Sequence, residues 1–311
     1  MPKVLISDAL SNLANEIFEK NNIEVDTITD LSPEGLKKII ENYDGLVVRS
    51  ATKATDEIIS AAKKLKIIGR AGAGVDNIDL ISAKKNNVIV MNTPGGNTNA
   101  TAEHTLSLLM SLYRNITEAN RGTHKGLWEK KIFKGLELKG KKLGIVGFGN
   151  VGRRFSEIAI SLGMEVSVFS EFFKLRKDQF ENINSISFDQ LIHKSDIISF
   201  HCKPLKNNKP MITITELKLM KKNAVILNTA RGGLVDESDL KVALEDGIIR
   251  GAALDVFSQE PAKINTLFGV KNIILTPHIA ASTIEAQLVV AEQIAQQISD
   301  YFNSGKIVNS I

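Results

Sequence analysis

The stretch KLGIVGFGNVGRRFSEIAI, residues 142–160, changes character halfway along. KLGIVG is a short run of the kind that fills a buried strand, and the residues after Gly152 place Phe155, Ile158 and Ala159 at helical spacing. Between them lies the turn Gly147, Phe148, Gly149, Asn150, Val151, Gly152. Each glycine has a separate task in such a turn. The first permits the tight reversal, the second lets a pyrophosphate approach the backbone, and the third lets helix and strand pack closely. The helix N-terminus behind them offers free amides and a positive dipole. The pattern is informative because a strand precedes it and a helix follows it, and this context predicts a dinucleotide site.

Downstream of this turn the chain alternates short apolar runs with amphipathic segments: EVSVF, DIISF, AVILN, GAALDVF and NIILTP. Upstream, KVLIS, VDTIT, GLVVRS, LKIIGRAG and VIVMNT form an earlier series of the same kind. Strands alternating with helices predict parallel sheets built from βαβ units. With 311 residues the chain exceeds what one core usually holds, roughly 250 to 300 residues, so two domains with a cleft between them are expected. The fold predicted is α/β: a doubly wound parallel sheet of the Rossmann type, and a smaller flavodoxin-like α/β domain for the substrate. The expected division gives 1–98 and 283–311 to the substrate domain and 99–282 to the dinucleotide domain. The stretch from Asn99 to about Ala119 holds no Gly or Pro and reads as one long helix, and another runs from about Thr283 to Asn303.

Composition narrows the function classes. Hydrophobic residues make up 43% and charged residues 24%, which fits a globular protein and not a disordered one. The net charge of +4 is spread along the chain without a dense basic block, so nucleic acid is not an expected partner. The start, MPKVLISDAL, lacks the basic, long apolar character of a signal peptide, and no run approaches the roughly 20 apolar residues of a membrane span. The single cysteine, Cys202, sits in an apolar run as a buried thiol. These features predict a soluble cytoplasmic protein; no metal site is expected.

The acidic residue that usually binds the adenine ribose is expected about 20 positions after the glycine turn. There the strand EVSVF ends on Ser170, followed by Glu171, with Lys174 and Arg176 close behind. A displaced carboxylate would select NAD, and a basic pair would accept the 2′-phosphate of NADP. Both remain open at this point.

Three further segments close strands of the second series: NTARGG with Arg231, DVFSQEP with Glu260 and TPHIAAS with His278. Strand C-terminal ends face the ligand crevice in open α/β sheets. Arg231 offers a planar, permanently charged fork that matches a carboxylate bidentately. His278 titrates near working pH and suits a general base. Glu260, if bonded to the other ring nitrogen, would stabilise the imidazolium. Singly, each residue reads as readily as a surface ion pair, a loop carboxylate or a packed histidine. Their joint position around a dinucleotide turn predicts hydride transfer at a secondary alcohol next to a carboxylate.

On the stretches RSATK, GRAGAGVDNID, MNTPGGNT, AEHT, GLWEKKIFKGLELKGKKLGIVGFGNVG, NTARGGLVDE, GAALDVF, EP and PHIAASTIEAQ, the chain resembles the D-isomer-specific 2-hydroxyacid dehydrogenases over nearly its whole length. The RSATK, GRAGAGVDN and WEKKIFKG stretches are typical of the branch that oxidises 3-phosphoglycerate to 3-phosphohydroxypyruvate on the way to serine. The resemblance implies that Arg231 holds the substrate carboxylate and that His278 and Glu260 form a proton relay. It places Gly147, Gly149, Asn150, Val151 and Gly152 under the pyrophosphate and Ser170 at the adenine ribose. It puts Cys202, Thr229, Ala230 and Ala281 along the cofactor cleft, and Asp255 near the nicotinamide. It further implies substrate contact at the amides around Ala73 and Gly74, with Arg49, Lys53 and Arg70 as candidates for the phosphate. A homodimer formed through the long helix after Asn99 and the loop with Trp128 is expected.

Two departures from the family pattern stand out. Ser170 replaces the aspartate of NAD-using members, and HCKPLKN lacks a proline directly after its first two residues, which is expected to alter the loop beside the nicotinamide. The chain stops at Ile311, so no C-terminal regulatory domain is expected. Two other readings stay open: a glyoxylate or hydroxypyruvate reductase using NADP, and a nicotinamide-sensing binding protein like the corepressors that share the fold.

Overall fold

The computed structural model describes residues 1–174, 180, 182–205 and 207–311. The chain forms two compact units, Met1–Asn97 with Ser282–Ile311, and Thr98–Ala281.

The first unit carries β1 (Lys3–Ile6), β2 (Glu24–Thr27), β3 (Gly45–Val48), β4 (Ile67–Arg70) and β5 (Ile89–Asn92), paired in the order β2-β1-β3-β4-β5. All four pairings are parallel. Helices α1 (Leu13–Lys20), α2 (Pro33–Ile39), α3 (Asp56–Ala61) and α4 (Leu80–Lys85) connect them, and the C-terminal helix Ile284–Ser304 returns to cover the sheet. Side chains alternate between the faces. Leu5, Leu46, Val48, Ile68 and Val90 pack against Leu36, Ile58, Ile59 and Ala83. Val4, Ile6, Val47, Ile67 and Met91 pack against Phe18 and the C-terminal helix through Val290, Ile294 and Ile298. Burying such a side chain contributes roughly 1.5–3 kcal/mol. Ser32 accepts from the Gly35 amide and Asp79 from the Ser82 amide, so side chains satisfy the first turns of α2 and α4. Ser310 bridges antiparallel to Met91, which covers the outer edge of β5.

The second unit opens with α5 (Thr98–Tyr113) and α6 (Ile116–His124). Its strands are β6 (Lys142–Val146), β7 (Glu165–Phe169), β8 (Ile183–Ser185), β9 (Ile197–Phe200), β10 (Val225–Asn228), β11 (Gly251–Leu254) and β12 (Ile273–Leu275). Interleaved helices are α7 (Asn150–Ser161), α8 (Glu171–Lys174), α9 (Phe188–Lys194), α10 (Ile214–Leu219) and α11 (Glu237–Glu245). The strand order is β12-β11-β10-β9-β6-β7-β8, parallel throughout. On one face Leu109, Tyr113, Phe155 and Ala159 cover Leu143, Ile145, Val166, Val168 and Leu227. On the other, Leu191, Leu217, Leu240 and Leu244 cover Val146, Ile198, Phe200 and Ile226. The order reverses between β6 and β9, the point where doubly wound sheets open a crevice beyond their strand C-termini.

The structure corrects two details of the sequence reading. The helix expected to run unbroken from Asn99 to about Ala119 ends at Tyr113, and Asn115 sits at φ +53° before α6 begins. Asn tolerates this left-handed conformation, so the break needs neither Gly nor Pro. The short polar strand β8 carried no apolar run to announce it.

Candidate active site

The glycine turn bends where β6 meets α7. Gly147 has φ +93°, and a Cβ there would lie 2.6 Å from the His201 carbonyl oxygen. A Cβ on Gly152 would lie 2.3 Å from the Gly147 carbonyl oxygen, so the turn and helix touch backbone to backbone. Gly149 differs: among the described residues a Cβ there meets nothing within 4 Å. It also caps α7 without any side-chain hydrogen bond to the first turn. Open space, amides that no side chain caps among the described residues, and a helix dipole together fit a pyrophosphate. Asn150 is exposed, and half-buried Val151 packs on the core below.

Ser170 follows β7 and is half-buried, and exposed Glu171 opens α8. Arg176 lies outside the described residues, as do the side chain of Lys174 and, within HCKPLKN, Lys206. Cys202 is half-buried, and burial pushes its thiol up to about 11. A thiol with that pKa stays protonated near neutral pH and is a poor nucleophile. Burial pushes the neighbouring His201 down to about 3, so that ring stays neutral, 2.8 Å from the Ser199 hydroxyl.

Arg231, Glu260 and His278 follow β10, β11 and β12. Asn228 orders the Arg231 loop from both sides: its Oδ1 accepts from the Ala230 amide at 3.1 Å and its Nδ2 donates to the Arg231 carbonyl at 2.8 Å. Gly232 is required there, because a Cβ would fall 1.8 Å from the Phe257 carbonyl oxygen. Arg231 Nη1 donates to the Ala230 carbonyl at 2.7 Å.

His278 Nδ1 and Glu260 Oε2 are 2.6 Å apart, and Glu260 Oε1 accepts from the Phe257 amide at 3.0 Å. Both side chains are partly open, at 47% and 33%. The hydrogen bond that His278 donates to Glu260 raises the His278 pKa above its usual 6.5; burial opposes it, the Glu260 and Asp255 charges add to it, and Arg231 subtracts. Burial pushes Glu260 up, but the His278 bond, the Phe257 amide and the imidazolium charge outweigh it, and its pKa falls below the usual value. The pair therefore favours imidazolium next to carboxylate.

His278 has φ +54°, a conformation that costs a non-glycine residue about 1–3 kcal/mol. Asp255 holds the strained segment. Fully buried, it accepts from the Thr276 hydroxyl at 2.6 Å, the Ile279 amide at 2.9 Å and the Ala280 amide at 2.8 Å. Burial pushes this carboxyl up, yet His104, Thr276 and the two amides bring it below the usual range. Asn228, Gly232 and Thr276 order these loops from within NTARGG and TPHIAAS, where neither residue type nor spacing marks their roles. Thr229 is buried, and Ala230 and Ala281 are half-buried.

In the first unit Arg49 follows β3, its Nη1 donating to the Ala9 carbonyl at 3.1 Å, and Lys53 is exposed in the loop beyond. Arg70 ends β4, and its guanidinium fills the space a Cβ on Gly72 would take. Ala73 is exposed, its carbonyl accepting from Asn92 Nδ2 at 2.6 Å, and Gly74 is half-buried beside it.

Residues 106–280 match the model of the D-isomer specific 2-hydroxyacid dehydrogenase NAD binding domain. The D-3-phosphoglycerate dehydrogenases of Archaeoglobus fulgidus and Bacillus subtilis are each 40% identical, over 99% and 100% of this chain. The chain spans 59% of the length of either. The crystal structure of a cofactor (NAD+) bound 3-phosphoglycerate dehydrogenase of Entamoeba histolytica superposes with a TM-score of 0.84 at 31% identity, covering 100% of this chain and 98% of that one.

Proposed function

Since this chain belongs to the D-isomer specific 2-hydroxyacid dehydrogenases, we propose that it oxidises D-3-phosphoglycerate to 3-phosphohydroxypyruvate with NAD; its 40% identical relatives are named D-3-phosphoglycerate dehydrogenases, and the similar Entamoeba histolytica structure holds NAD+. The observation that carries the chemistry is the 2.6 Å contact between His278 Nδ1 and Glu260 Oε2, on loops after β12 and β11 in the unit that also carries the glycine turn. We assign residues Thr98–Ala281 to the dinucleotide and Met1–Asn97 with Ser282–Ile311 to the substrate.

Gly147, Gly149, Asn150, Val151 and Gly152 would hold the pyrophosphate, Ser170 and Glu171 the adenine ribose, and Cys202, Thr229, Ala230, Asp255 and Ala281 the nicotinamide side. Bound NAD supplies the hydride acceptor. Arg231 forks the substrate carboxylate and polarises the carbon-2 oxygen. The Nδ1–H donated to Glu260 leaves Nε2 as the basic nitrogen, which takes the proton of the 2-hydroxyl. Glu260 then faces an imidazolium and holds it through the same hydrogen bond. In the reverse direction the imidazolium returns that proton to the carbonyl oxygen as the hydride arrives at carbon 2. Arg49, Lys53 and Arg70 are our candidates for the substrate phosphate, with backbone amides at Ala73 and Gly74 on its carboxylate end.

We further propose a cytoplasmic homodimer. Among the described residues no helix is long and apolar enough to cross a membrane. Leu127, Trp128 and Ile132 are 48%, 85% and 66% exposed in one loop, an apolar surface of the kind subunits bury.

The assay that tests this reading measures NADH and NADPH oxidation with phosphohydroxypyruvate, hydroxypyruvate and glyoxylate in turn. The highest kcat/KM is expected with NADH and phosphohydroxypyruvate. Preference for glyoxylate or hydroxypyruvate with NADPH would overturn the substrate and cofactor assignment together, and no turnover at all would favour a nicotinamide-sensing role.

A further inference from the structure

The AEHT stretch at 102–105 lies inside α5, away from the glycine turn and from the three catalytic candidates in sequence. Its last two side chains each reach one of the loops that carry them. His104 Nε2 lies 3.2 Å from the Thr276 hydroxyl and 3.5 Å from Asp255 Oδ1. The Thr105 hydroxyl lies 2.7 Å from the Thr229 hydroxyl, two residues before Arg231.

Counting hydrogens orients both contacts. The Thr276 hydroxyl donates its one hydrogen to Asp255 Oδ1 at 2.6 Å, so toward His104 it accepts, and His104 carries its hydrogen on Nε2. Asp255 in turn accepts from the amides of Ile279 and Ala280, the residues just after His278. Thr105 donates to the Thr101 carbonyl at 2.8 Å, so the Thr229 hydroxyl donates to it. Thr105 is fully buried and Thr229 nearly so, where an unmatched hydroxyl is costly. Adjacent helix residues point about 100° apart, which lets one turn of α5 serve two neighbouring loops.

We infer that His104 and Thr105 are positioning residues: α5 acts as a strut that sets the His278 loop through Thr276 and Asp255, and the Arg231 loop through Thr229. The inference rests on the proposed hydride transfer for its kinetic consequence, though not for its structural one. The left-handed backbone at His278 gives the strut its purpose, since a strained loop persists only where its surroundings hold it. Misplacement by about 1 Å at such a site costs up to roughly a hundredfold in rate.

Three variants test it in the full chain: His104→Leu, His104→Gln and Thr105→Val. His104→Leu should lower kcat about tenfold or more with the KM of the 2-oxo acid little changed, because the proton donor is displaced. Thr105→Val should chiefly raise that KM, because the carboxylate fork moves. His104→Gln, which keeps a donor near the Nε2 position, should restore most of kcat. Independently of turnover, hydrogen exchange at the Ile279 and Ala280 amides should quicken about tenfold in His104→Leu but not in His104→Gln. Unchanged exchange in His104→Leu overturns the strut whatever the activity. Wild-type kinetics in both His104→Leu and Thr105→Val overturn it as well, even if the melting temperature falls. A wild-type protein inactive on every 2-oxo acid would refute the proposed function, and amide exchange would still decide the strut.

Discussion

Replacing Glu260 by Gln removes one charge from the 2.6 Å pair and leaves the side-chain shape in place. A hydrogen bond to a charged group contributes about 1.5–3 kcal/mol. His278 and Glu260 are 47% and 33% exposed, so water screens the pair and the lower figure, about 1.5 kcal/mol, is appropriate. At about 1.4 kcal/mol per factor of ten, kcat/KM should fall about tenfold. The pH dependence has a definite sign. Reduction of the 2-oxo acid needs His278 protonated, and the Glu260 hydrogen bond is the main cause holding its pKa above 6.5. Without the carboxylate, burial lowers that pKa, so the alkaline limb of the reductive profile moves to lower pH. Stability follows the same linkage. The contact contributes below the unfolded His value of 6.5 and is lost as pH rises through the folded value; it is also lost in acid, as pH falls below the Glu range near 4.5. Glu260→Gln should therefore lower the melting temperature most in the window between those two values and least well above it. Steady-state profiles of reduction and thermal melts across pH measure both effects. An alkaline limb that stays where it is in the variant would refute the reasoning.

Gly149→Ala should melt like the wild type, because among the described residues its Cβ meets nothing within 4 Å, yet bind NADH at least about tenfold more weakly by titration, since that space is the proposed pyrophosphate seat. Gly152→Ala should instead destabilise the fold, by about 1–3 kcal/mol in denaturant unfolding, because its Cβ would press on the Gly147 carbonyl at 2.3 Å. Arg231→Lys keeps the charge and loses the fork, and should raise the KM of the 2-oxo acid by about tenfold with NADH binding unchanged. Trp128→Ala should shift the protein from dimer to monomer in sedimentation velocity at micromolar concentration, and a dimer that persists unweakened would exclude this loop from the interface.

Much of the fold was legible in the sequence because each strand of the two series is a short, nearly continuous apolar run, as parallel strands covered on both faces must be. GxGxxG between KLGIVG and Phe155 located the turn for a stated geometric reason. What escaped was whatever period and punctuation do not encode. Asn115 breaks a helix without Gly or Pro, β8 is too short and polar to register, and the left-handed backbone at His278 falls on a residue that seldom adopts it. The motifs named Arg231, Glu260 and His278 as candidates, but spacing could not give the hydrogen bond across 18 residues between Glu260 and His278. The links from His104 to Thr276, over 172 residues, and from Thr105 to Thr229, over 124, exist only once the sheet has folded.

The most direct test of the proposed chemistry is the turnover of His278→Ala with phosphohydroxypyruvate and NADH, measured beside its NADH dissociation constant. Loss of the general acid and base should lower kcat by about a hundred- to ten-thousandfold while the dissociation constant stays within about twofold. A variant that turns over within about threefold of the wild type would contradict the account.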